Sequence, residues 1–356
     1  MYEGNLSNRI LKTHVGSIIC SASHGDRSHR KVQGATFKFH VYRLSQEDAA
    51  TETMQNDSED LPVSSHWILP AKEFHYLWES LYFDSHIKED LLHFVETSMV
   101  FSDHGVNSNI ISWNKVVLLH GPPGTGKTSL CKALAQKIAI RLGDRFSHSE
   151  FVEINSHSLF SKWFSESGKL VMKLFNEMKS ILENSRVLVC ILIDEVESLA
   201  HARKACSSGA EPTDSIRVVN ALLTQLDQIK RYPNVLILTT SNLSEAIDLA
   251  FIDRADITQY IGQPTQQAIY KIYTSCLKEL MRTKLMEREE IIELSQESLG
   301  LSGRVLRKIP FLAHAFYLRT KKCTLTRFLR SMHLAVKRQK EEEVEDVVQA
   351  LQNLEY

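Results

Sequence analysis

A glycine-rich run at residues 121–128 has the residue types and the spacing that bind phosphate groups. It fits the P-loop pattern at every fixed position: Gly121-Pro122-Pro123-Gly124-Thr125-Gly126-Lys127-Thr128. Its glycines let backbone N–H groups wrap a phosphate, and the N-terminus of a following helix adds a partial positive charge. We predict that Lys127 reaches the terminal phosphates and that the Thr128 hydroxyl binds Mg²⁺. The run therefore predicts a nucleoside triphosphate site, with ATP and Mg²⁺ as its ligands.

Two carboxylates follow a second apolar run, Val189-Cys190-Ile191-Leu192-Ile193-Asp194-Glu195, at a spacing from the P-loop that is typical of a Walker B motif. Such acids can simply mark the point where a buried strand reaches solvent. Because a P-loop precedes them, a catalytic interpretation is favoured. We predict that Asp194 holds the magnesium through its water shell and that Glu195 polarises the attacking water in an in-line displacement.

Two further polar residues are candidates for the same reaction. Asn242 follows an apolar run at 234–240, where its amide could orient the water or the γ-phosphate, although an Asn in this position is commonly a turn residue. Arg254 lies between two acids in the run 251–256. It could form a local surface ion pair, or it could act in trans as an arginine finger on the nucleotide of a neighbouring subunit.

These candidates must be positioned by alternating strands and helices. Short apolar runs at 116–120, 151–154, 187–193 and 234–240 are typical of buried parallel strands, and residues 129–140 read as a helix directly after the P-loop. Apolar residues at helical spacing between the last two runs predict core packing: Val219, Leu222, Leu223, Leu226 and Ile229. The fold class predicted is α/β, a parallel sheet flanked by helices.

The regions on either side of this unit have different patterns. Residues 35–44 alternate as a half-buried strand does, and the polar stretch 45–60 reads as a loop or linker, so a boundary near residue 65 is expected. After residue 264 strand signals stop and two apolar helical stripes indicate a helical subdomain. We therefore predict an N-terminal region at 1–65, a nucleotide-binding subdomain at 66–262 and a helical lid with a charged tail at 263–356. In that tail, basic 337–340 and acidic 341–346 predict a solvated helix face with i,i+4 pairs.

Composition limits the possible partners. The chain has 356 residues, 43% of them hydrophobic, with a formal net charge of −1. Near-neutral charge gives no electrostatic case for nucleic acid, so a protein partner is favoured. The longest apolar runs are of strand length, which predicts no membrane span, and the N-terminus lacks the layout of a signal peptide. A cytosolic or nuclear location follows as the default. The six cysteines form no CxxC pair, and Cys131 and Cys190 are expected to be reduced core residues.

In their order, these motifs resemble the AAA+ ATPases, in which a helical lid follows the P-loop, the Walker B strand and a polar sensor. The resemblance gives Asn242 the sensor position, and Gly300-Leu301-Ser302-Gly303-Arg304 matches the lid motif. It implies that Arg304 contacts the γ-phosphate in cis. Residues 158–175 resemble the first pore loop of remodellers that thread polypeptide through a hexamer, with Lys162, Trp163 and Phe164 gripping the substrate by aromatic packing. A core position for Trp163 is the alternative. Residues 201–214 would form a second pore loop.

Over about residues 34–335 the chain resembles one AAA+ branch, the pachytene checkpoint protein two family. The resemblance is carried by strings outside the ATPase motifs, at 65–70, 101–103, 155–160, 216–220 and 310–315. It implies a homo-hexamer that uses ATP to convert HORMA-domain proteins between closed and open states, together with a checkpoint adaptor. It further implies a role in spindle checkpoint silencing and meiotic chromosome axes, in the nucleus and the cytoplasm at chromosomes or kinetochores.

The chain departs from this family at several places. Residues 1–33 do not resemble the family's N-terminal domain, the stretch 281–299 is shorter than its lid segment, and the tail beyond Lys337 differs. Relatives often have two arginines near the finger position, and this chain has Arg254 there. Two other functions remain open from the sequence: a nucleotide-gated scaffold without productive remodelling, and a severing or disassembly ATPase.

Overall fold

The computed structural model describes residues 13–18, 37–54, 61–84, 86–156, 167–198, 214–242, 249–283, 292–318 and 324–352. The chain divides into two compact units, Met1–Phe39 and His40–Tyr356. In the first unit the described residues 13–18 and 37–39 include no strand, and the rings of Phe37 and Phe39 stack with centroids 6.2 Å apart. The second unit contains the central sheet and the helical lid.

A seven-stranded sheet forms the centre of this unit, in the order β1-β2-β4-β5-β6-β3-β7. Strands β3 to β7 pair in parallel, whereas β1 and β2 extend the sheet in the antiparallel sense beyond β4. The strands are β1 (Ala50–Met54), β2 (Leu61–Leu69), β3 (Val116–His120), β4 (His148–Asn155), β5 (Val187–Asp194), β6 (Val235–Ser241) and β7 (Ile257–Tyr260). The four predicted parallel strands are confirmed as β3, β4, β5 and β6, with bounds that differ by at most three residues.

Helices cover both faces of the sheet and continue into the lid. They are α1 (Leu77–Ser80), α2 (Ile87–Asp103), α3 (Lys127–Arg141), α4 (Ser167–Leu182), α5 (Asp214–Ile229), α6 (Leu249–Ile252), α7 (Gln266–Arg282), α8 (Ile292–Glu297), α9 (Gly303–Ala313), a π-helical turn (His314–Leu318) and α10 (Leu325–Gln352). Helix α3 contains the helix predicted after the P-loop. In the described part of the chain, no helix combines the length and the apolar character required to cross a membrane.

Two apolar clusters lie on opposite faces of the sheet because successive strand residues point to opposite sides. Helices α4 and α5 pack on one face, and α2 and α3 pack on the other. The stripe predicted on α5 is buried as expected, from Val219 to Ile229. Cys131 and Cys190 are fully buried free thiols, and burial raises the pKa of Cys190 to about 12. Their predicted structural role is confirmed.

Three expectations for the N-terminal region need correction. Residues 37–44 form no strand, and the side chains of Phe39 and Val41 are 83% and 98% exposed. The position beside β2 is taken instead by β1, inside the stretch predicted to be a loop. The expected boundary near residue 65 falls within β2, which pairs with both β1 and β4. The alternation of apolar and polar residues indicates which side chains could face a core. It does not determine which segment pairs with the free edge of the sheet.

The lid has its own apolar core, built from α7, α8, α9 and α10. Both predicted stripes lie in it, represented by Ile269 and Tyr273 on α7 and by Phe328 and Met332 on α10. Burial raises the pKa of the Tyr273 hydroxyl, which hydrogen-bonds to Ser298 at 2.8 Å. The charged tail continues α10, and Arg338 Nε lies 2.7 Å from Glu342 Oε1. The i,i+4 pairing predicted from the charge blocks is therefore confirmed.

Candidate nucleotide-binding and catalytic site

The P-loop joins the end of β3 to the start of α3, as its sequence requires. Gly121, Gly124 and Gly126 have φ values of 140°, 76° and 99°, which side-chain-bearing residues rarely adopt. Gly121 has a second constraint, because a Cβ there would lie 2.2 Å from the backbone oxygen of Ile261. The loop's path thus depends on glycine both for backbone conformation and for close packing.

Lys127 is 5% exposed and directs its ammonium group into the P-loop. Its Nζ donates hydrogen bonds of 2.8 Å to the backbone oxygens of Gly121 and Pro122. Burial is the main reason that the pKa of Lys127 is lowered, while the charges of Glu197 and Asp194 oppose the shift. The cation is therefore held inside the loop that would surround a phosphate chain, where low solvent exposure strengthens its attraction for an anion.

Asp194, at the end of β5, receives hydroxyl donors from two other elements. Thr128 Oγ1 of the P-loop helix lies 3.0 Å and 3.2 Å from its two carboxylate oxygens. Thr240 Oγ1, at the end of β6, donates to the same carboxylate and accepts from the backbone N–H of Glu195 at 3.2 Å. The carboxyl ends of the parallel strands β5 and β6 thus fix Asp194 beside the P-loop.

The donor set at this position fits a magnesium ion. Thr128 supplies a hydroxyl oxygen and Asp194 a carboxylate, which are the hard oxygen ligands that Mg²⁺ prefers. Both groups already lie in contact next to the P-loop, so no rearrangement of the backbone is required to bring them together. A magnesium ion would be held by these two residues, directly or through water, together with oxygens of the nucleotide.

Glu195 is exposed and lies next to Asn242 of the neighbouring strand end. Asn242 Nδ2 donates to Glu195 Oε1 at 3.0 Å, and its backbone N–H donates to Glu197 Oε1, also at 3.0 Å. Glu195 has a φ of 57°, a left-handed conformation that is uncommon for a residue with a side chain and is frequently found at functional sites. The backbone turns sharply here, so Asp194 and Glu195 point in different directions from adjacent positions.

These groups open onto a cavity of about 730 Å³ between the large subdomain and the lid. The phosphate-binding side is formed by the P-loop, Asp194, Glu195 and Asn242, and the lid contributes Ile272, Arg304 and Arg307. At the junction, Arg304 N donates to Gly124 O at 3.1 Å, and a Cβ on Gly124 would lie 2.8 Å from Ser302 Oγ. Gly124 therefore has to be glycine for two reasons: its backbone conformation and its close contact with the start of α9.

The two candidate arginines differ in their positions. Arg304 is exposed and lines the cavity from the side of the lid. Arg254 is not among the residues that line it: its Nε and Nη2 lie 3.1 Å and 2.7 Å from the two carboxylate oxygens of Asp227 on α5. Its Nη1 also donates to Ala250 O at 2.8 Å.

The ion-pair alternative for Arg254 is thus realised, but with a partner 27 positions away in the chain. Asp256, one of the flanking acids, instead accepts from the backbone N–H groups of Asn114 and Val116 at 2.9 Å and 3.1 Å. Arg254 does not contact the nucleotide cavity of its own chain in this arrangement. A role in catalysis would have to be exercised towards another subunit.

Several candidate residues lie outside the described part of the chain. These are the first pore-loop residues Lys162, Trp163 and Phe164 and most of the second pore loop at 201–214. Other residues of the site were given no role from the sequence, namely Thr240, Glu197, Ser302 and the cavity-lining segment 81–83. Thr240 is a polar residue at the end of the apolar run 234–240 and lies two positions before the candidate Asn242, so its polarity was a usable signal once β6 was known to neighbour β5.

The mostly parallel sheet with a P-loop, a carboxylate pair and a capping helical lid defines an AAA-type ATPase. A family model described as "ATPase family associated with various cellular activities (AAA)" matches residues 117–263. A second model, "TRIP13-like, AAA+ ATPase lid C-terminal domain", matches residues 265–296 and 288–340. The two lid segments overlap within the stretch 281–299, which was expected to be shortened. The α/β class and the helical lid predicted from the sequence are confirmed.

Individual relatives narrow this class. The pachytene checkpoint protein 2 homolog of Xenopus tropicalis is 56% identical over 327 residues, covering 85% of this chain and 76% of the relative. The Homo sapiens homolog is 52% identical over 335 residues, covering 87% and 78%. The solved structure of C. elegans PCH-2 is 40% identical, with a TM-score of 0.74 over 85% of this chain and 79% of that chain. The chain belongs to the pachytene checkpoint protein 2 family and is an ATPase of the AAA class.

Proposed function

We propose that this ATPase remodels HORMA-domain proteins, converting them between closed and open states by drawing a segment through the pore of a homo-hexamer. The observation that carries the proposal is the nucleotide cavity shared between the large subdomain and the lid, because hydrolysis there can change how the two subdomains meet. A bacterial Trip13 has been solved in a HORMA:CdnC:Trip13 complex, and its fold matches this chain with a TM-score of 0.62 at 18% identity, over 76% of this chain and 93% of that chain.

The chemical step follows from the residues at the strand ends. Glu195 would accept a proton from the attacking water, and Asn242, which donates to one of its carboxylate oxygens, would hold that carboxylate in the orientation required. Lys127 would neutralise charge on the phosphates, and Arg304 would approach them from the lid. A magnesium ion bound by Thr128 and Asp194 would stabilise the charge that develops on the phosphoryl oxygens.

Arg254 would complete this arrangement in an assembly. The bidentate pair with Asp227 holds the guanidinium at a distance from the cavity of its own chain, so it would serve a neighbouring subunit as an arginine finger. Trp163 and Phe164 would grip the extended substrate in the pore. We further propose that a checkpoint adaptor presents the substrate, that the setting is spindle checkpoint silencing and meiotic chromosome axes, and that the protein is found in the nucleus and the cytoplasm.

The test is steady-state ATP hydrolysis by the purified chain, with and without a closed HORMA-domain protein and an adaptor. We expect substrate to stimulate turnover and to be converted to its open state. Glu195→Gln should lower kcat about 10²–10⁴-fold, because the general base is lost, while nucleotide binding is retained. The matched control is Glu177→Gln, an exposed carboxylate on α4 that pairs with Lys173 and is not among the residues that line the nucleotide cavity.

The pore step has a separate test. Trp163→Ala should abolish conversion of the HORMA substrate while leaving basal ATP hydrolysis within about twofold, because an aromatic grip acts on substrate and not on nucleotide. Conversion that survives this change would exclude threading by Trp163. Turnover stimulated by tubulin peptides and not by HORMA-domain proteins would instead assign the chain to the severing ATPases.

A further inference from the structure

A four-residue segment that runs from the last residue of α1 towards α2, Ser80–Phe83, lies beside the nucleotide cavity and packs against both the large subdomain and the lid; we call it the strap. Successive side chains of the strap face different cores. Leu81 and Phe83 pack against the cluster that contains α2 and α3, whereas Tyr82, between them, packs against the core of the lid. Leu81 has φ −86° and ψ 128°, an extended conformation in which neighbouring side chains point in opposite directions. The strap is thereby anchored in both subdomains.

The strap also contacts the P-loop. A Cβ added to Gly126 would lie 3.4 Å from Leu81 Cδ2 and 4.0 Å from Phe83 Cζ, so both side chains pack directly over the turn that begins α3. Leu81, Tyr82 and Phe83 all line the nucleotide cavity. Tyr82, which packs in the lid core, is therefore flanked in the chain by two residues that touch the phosphate-binding loop.

Two cations hold the strap's backbone, one from each subdomain. Lys88 on α2 donates to the backbone oxygens of Trp78 and Leu81 at 2.6 Å and 3.1 Å, and burial lowers its pKa to about 8. Arg307 on α9 donates through Nη2 to the backbone oxygen of Ser80. The large-subdomain attachment is partly buried, whereas the lid attachment is exposed and can exchange with water.

Arg307 lies one helical turn after Arg304, so the two side chains share a face of α9. The same helix contacts the P-loop through Arg304 N and Gly124 O at 3.1 Å. Helix α9 is thus fixed at two points, the P-loop at its first turn and the strap one turn later. Two points of attachment define the rotation of a helix about its axis, and that rotation sets where the Arg304 side chain enters the cavity.

We propose that Tyr82 and Arg307 are positioning residues for ATP hydrolysis, which set the angle of the lid and thereby the placement of Arg304. The proposal rests on the ATPase activity and is independent of HORMA-protein remodelling. Tyr82 acts by packing in the lid core, and Arg307 acts through its hydrogen bond to the strap. Neither residue is required to contact the reacting phosphate.

The experiment measures kcat and KM for ATP, and the dissociation constant of a fluorescent ADP analogue, for Tyr82→Ala, Arg307→Ala and the double variant. Each single change should lower kcat about three- to tenfold, the scale of losing one hydrogen bond or one packing contact, with ADP affinity within about twofold. The double variant should be no more than about twofold slower than the slower single variant, because both act on one lid position. In an Arg304→Ala background, Arg307→Ala should have little further effect.

Conservative changes provide the controls. Tyr82→Phe retains the packing and Arg307→Lys retains a donor, so both should keep kcat within about twofold of wild type. Lys308→Ala, the adjacent exposed cation on α9, should do the same. If Tyr82→Ala fails to fold by thermal melting, Tyr82→Leu replaces it.

Three results would overturn the proposal. One is an unchanged kcat in both single variants. The second is effects that multiply in the double variant, which would make the two residues independent. The third is a loss of ADP affinity at constant kcat, which would make them direct nucleotide contacts.

Discussion

The two walls of the nucleotide cavity are built differently. The catalytic wall consists of the carboxyl ends of β3, β5 and β6 with the P-loop, and its polar groups bond to one another: Asp194 with Thr128 and Thr240, Glu195 with Asn242. The lid wall consists of the start of α9 with the strap, and its cavity-facing cations, Arg304 and Arg307, are exposed. The first wall is backed by the buried strands β3, β5 and β6, and the second by a separate small core.

This difference indicates that the two walls have different roles in the site. Groups that must hold a fixed geometry towards phosphate and water lie on strand ends, where neighbouring strands and buried hydrogen bonds restrict them. The exposed arginines that we propose approach the phosphates lie on the lid wall, which is supported by a core of its own. Substitutions in the catalytic wall should therefore affect folding and chemistry strongly, whereas substitutions in the lid wall should have smaller and coupled effects.

The largest effect is expected at Gly121 in the catalytic wall. Gly121→Ala places a Cβ 2.2 Å from Ile261 O at a φ of 140°, so we expect the free energy of unfolding to fall by about 2–5 kcal/mol, measured by urea denaturation, with loss of nucleotide binding. Gly300→Ala is the control, because its φ is 94° and no atom lies within 4 Å of its Cβ among the described residues. That change should cost about 1–2 kcal/mol from backbone strain alone. Equal losses at the two positions would contradict the steric explanation.

The next effect concerns the hydrogen bonds of the catalytic wall. Thr240→Val removes a hydroxyl that contacts both Asp194 and the Glu195 backbone, so kcat should fall about 10- to 100-fold. Thr239→Val is the matched control, because the preceding residue is equally buried but donates to Val117 O at 3.1 Å. Both variants should lose similar stability, and only the first should lose activity. A kcat for Thr240→Val within twofold of the control would show that this wall does not depend on the hydroxyl.

A smaller effect is expected in the lid wall at Ser302, the N-cap of α9. Its side chain accepts from Val305 N at 3.4 Å, so Ser302→Ala should lower the free energy of unfolding by about 1 kcal/mol, with kcat reduced less than in Thr240→Val. Ser180→Ala, at an exposed position near the end of α4, is the comparison for loss of a hydroxyl without a cap. If Ser302→Ala reduced kcat more than Thr240→Val, the ranking of the two walls would be reversed.

A pH-dependent effect on stability is expected where β3 begins. Lys115 is 4% exposed, and burial lowers its pKa to about 8, with Asp256 opposing and Arg145 reinforcing the shift. Between about pH 8 and the unfolded value of 10.5 the unfolded chain binds more protons at this residue, so it contributes a stability that rises with pH. In Lys115→Met, this contribution to the rise of the free energy of unfolding with pH should be absent. Urea denaturation at pH 7.5 and 9.5, compared between the two proteins, tests this, and parallel pH dependences would contradict it.

Much of the catalytic wall could be predicted from the sequence because its signals are local. The P-loop requires glycines at particular turns, and the carboxylates follow a continuous apolar strand, so each segment carries its own evidence. Helix α5 and the lid stripes were equally clear from their periodicity. The antiparallel strands β1 and β2 were missed because local sequence does not determine which segment pairs with the edge of a sheet. The polar composition of residues 50–54 also gave no strand signal for β1.

Contacts between distant segments could not be predicted in the same way. Arg254 pairs with Asp227 and not with the acids beside it, because helix geometry and the position of α5 bring that carboxylate to the guanidinium. Thr240 joins Asp194 because β6 lies next to β5 in the sheet, although 46 residues separate the two side chains in the chain. No motif or periodicity in the sequence indicated the role of the strap.

The sequence by itself determined the chemistry: a phosphate-binding loop, a carboxylate pair, a polar sensor and a helical lid, each specified by neighbouring residues and by turn or strand requirements that act over a few positions. The tertiary structure decided which of these groups meet. It set the strand order that places Thr240 on Asp194, the contact of Ser302 with Gly124, and the packing of Tyr82 in the lid. Such contacts arise from the packing of whole elements, and spacing along the chain does not encode them locally.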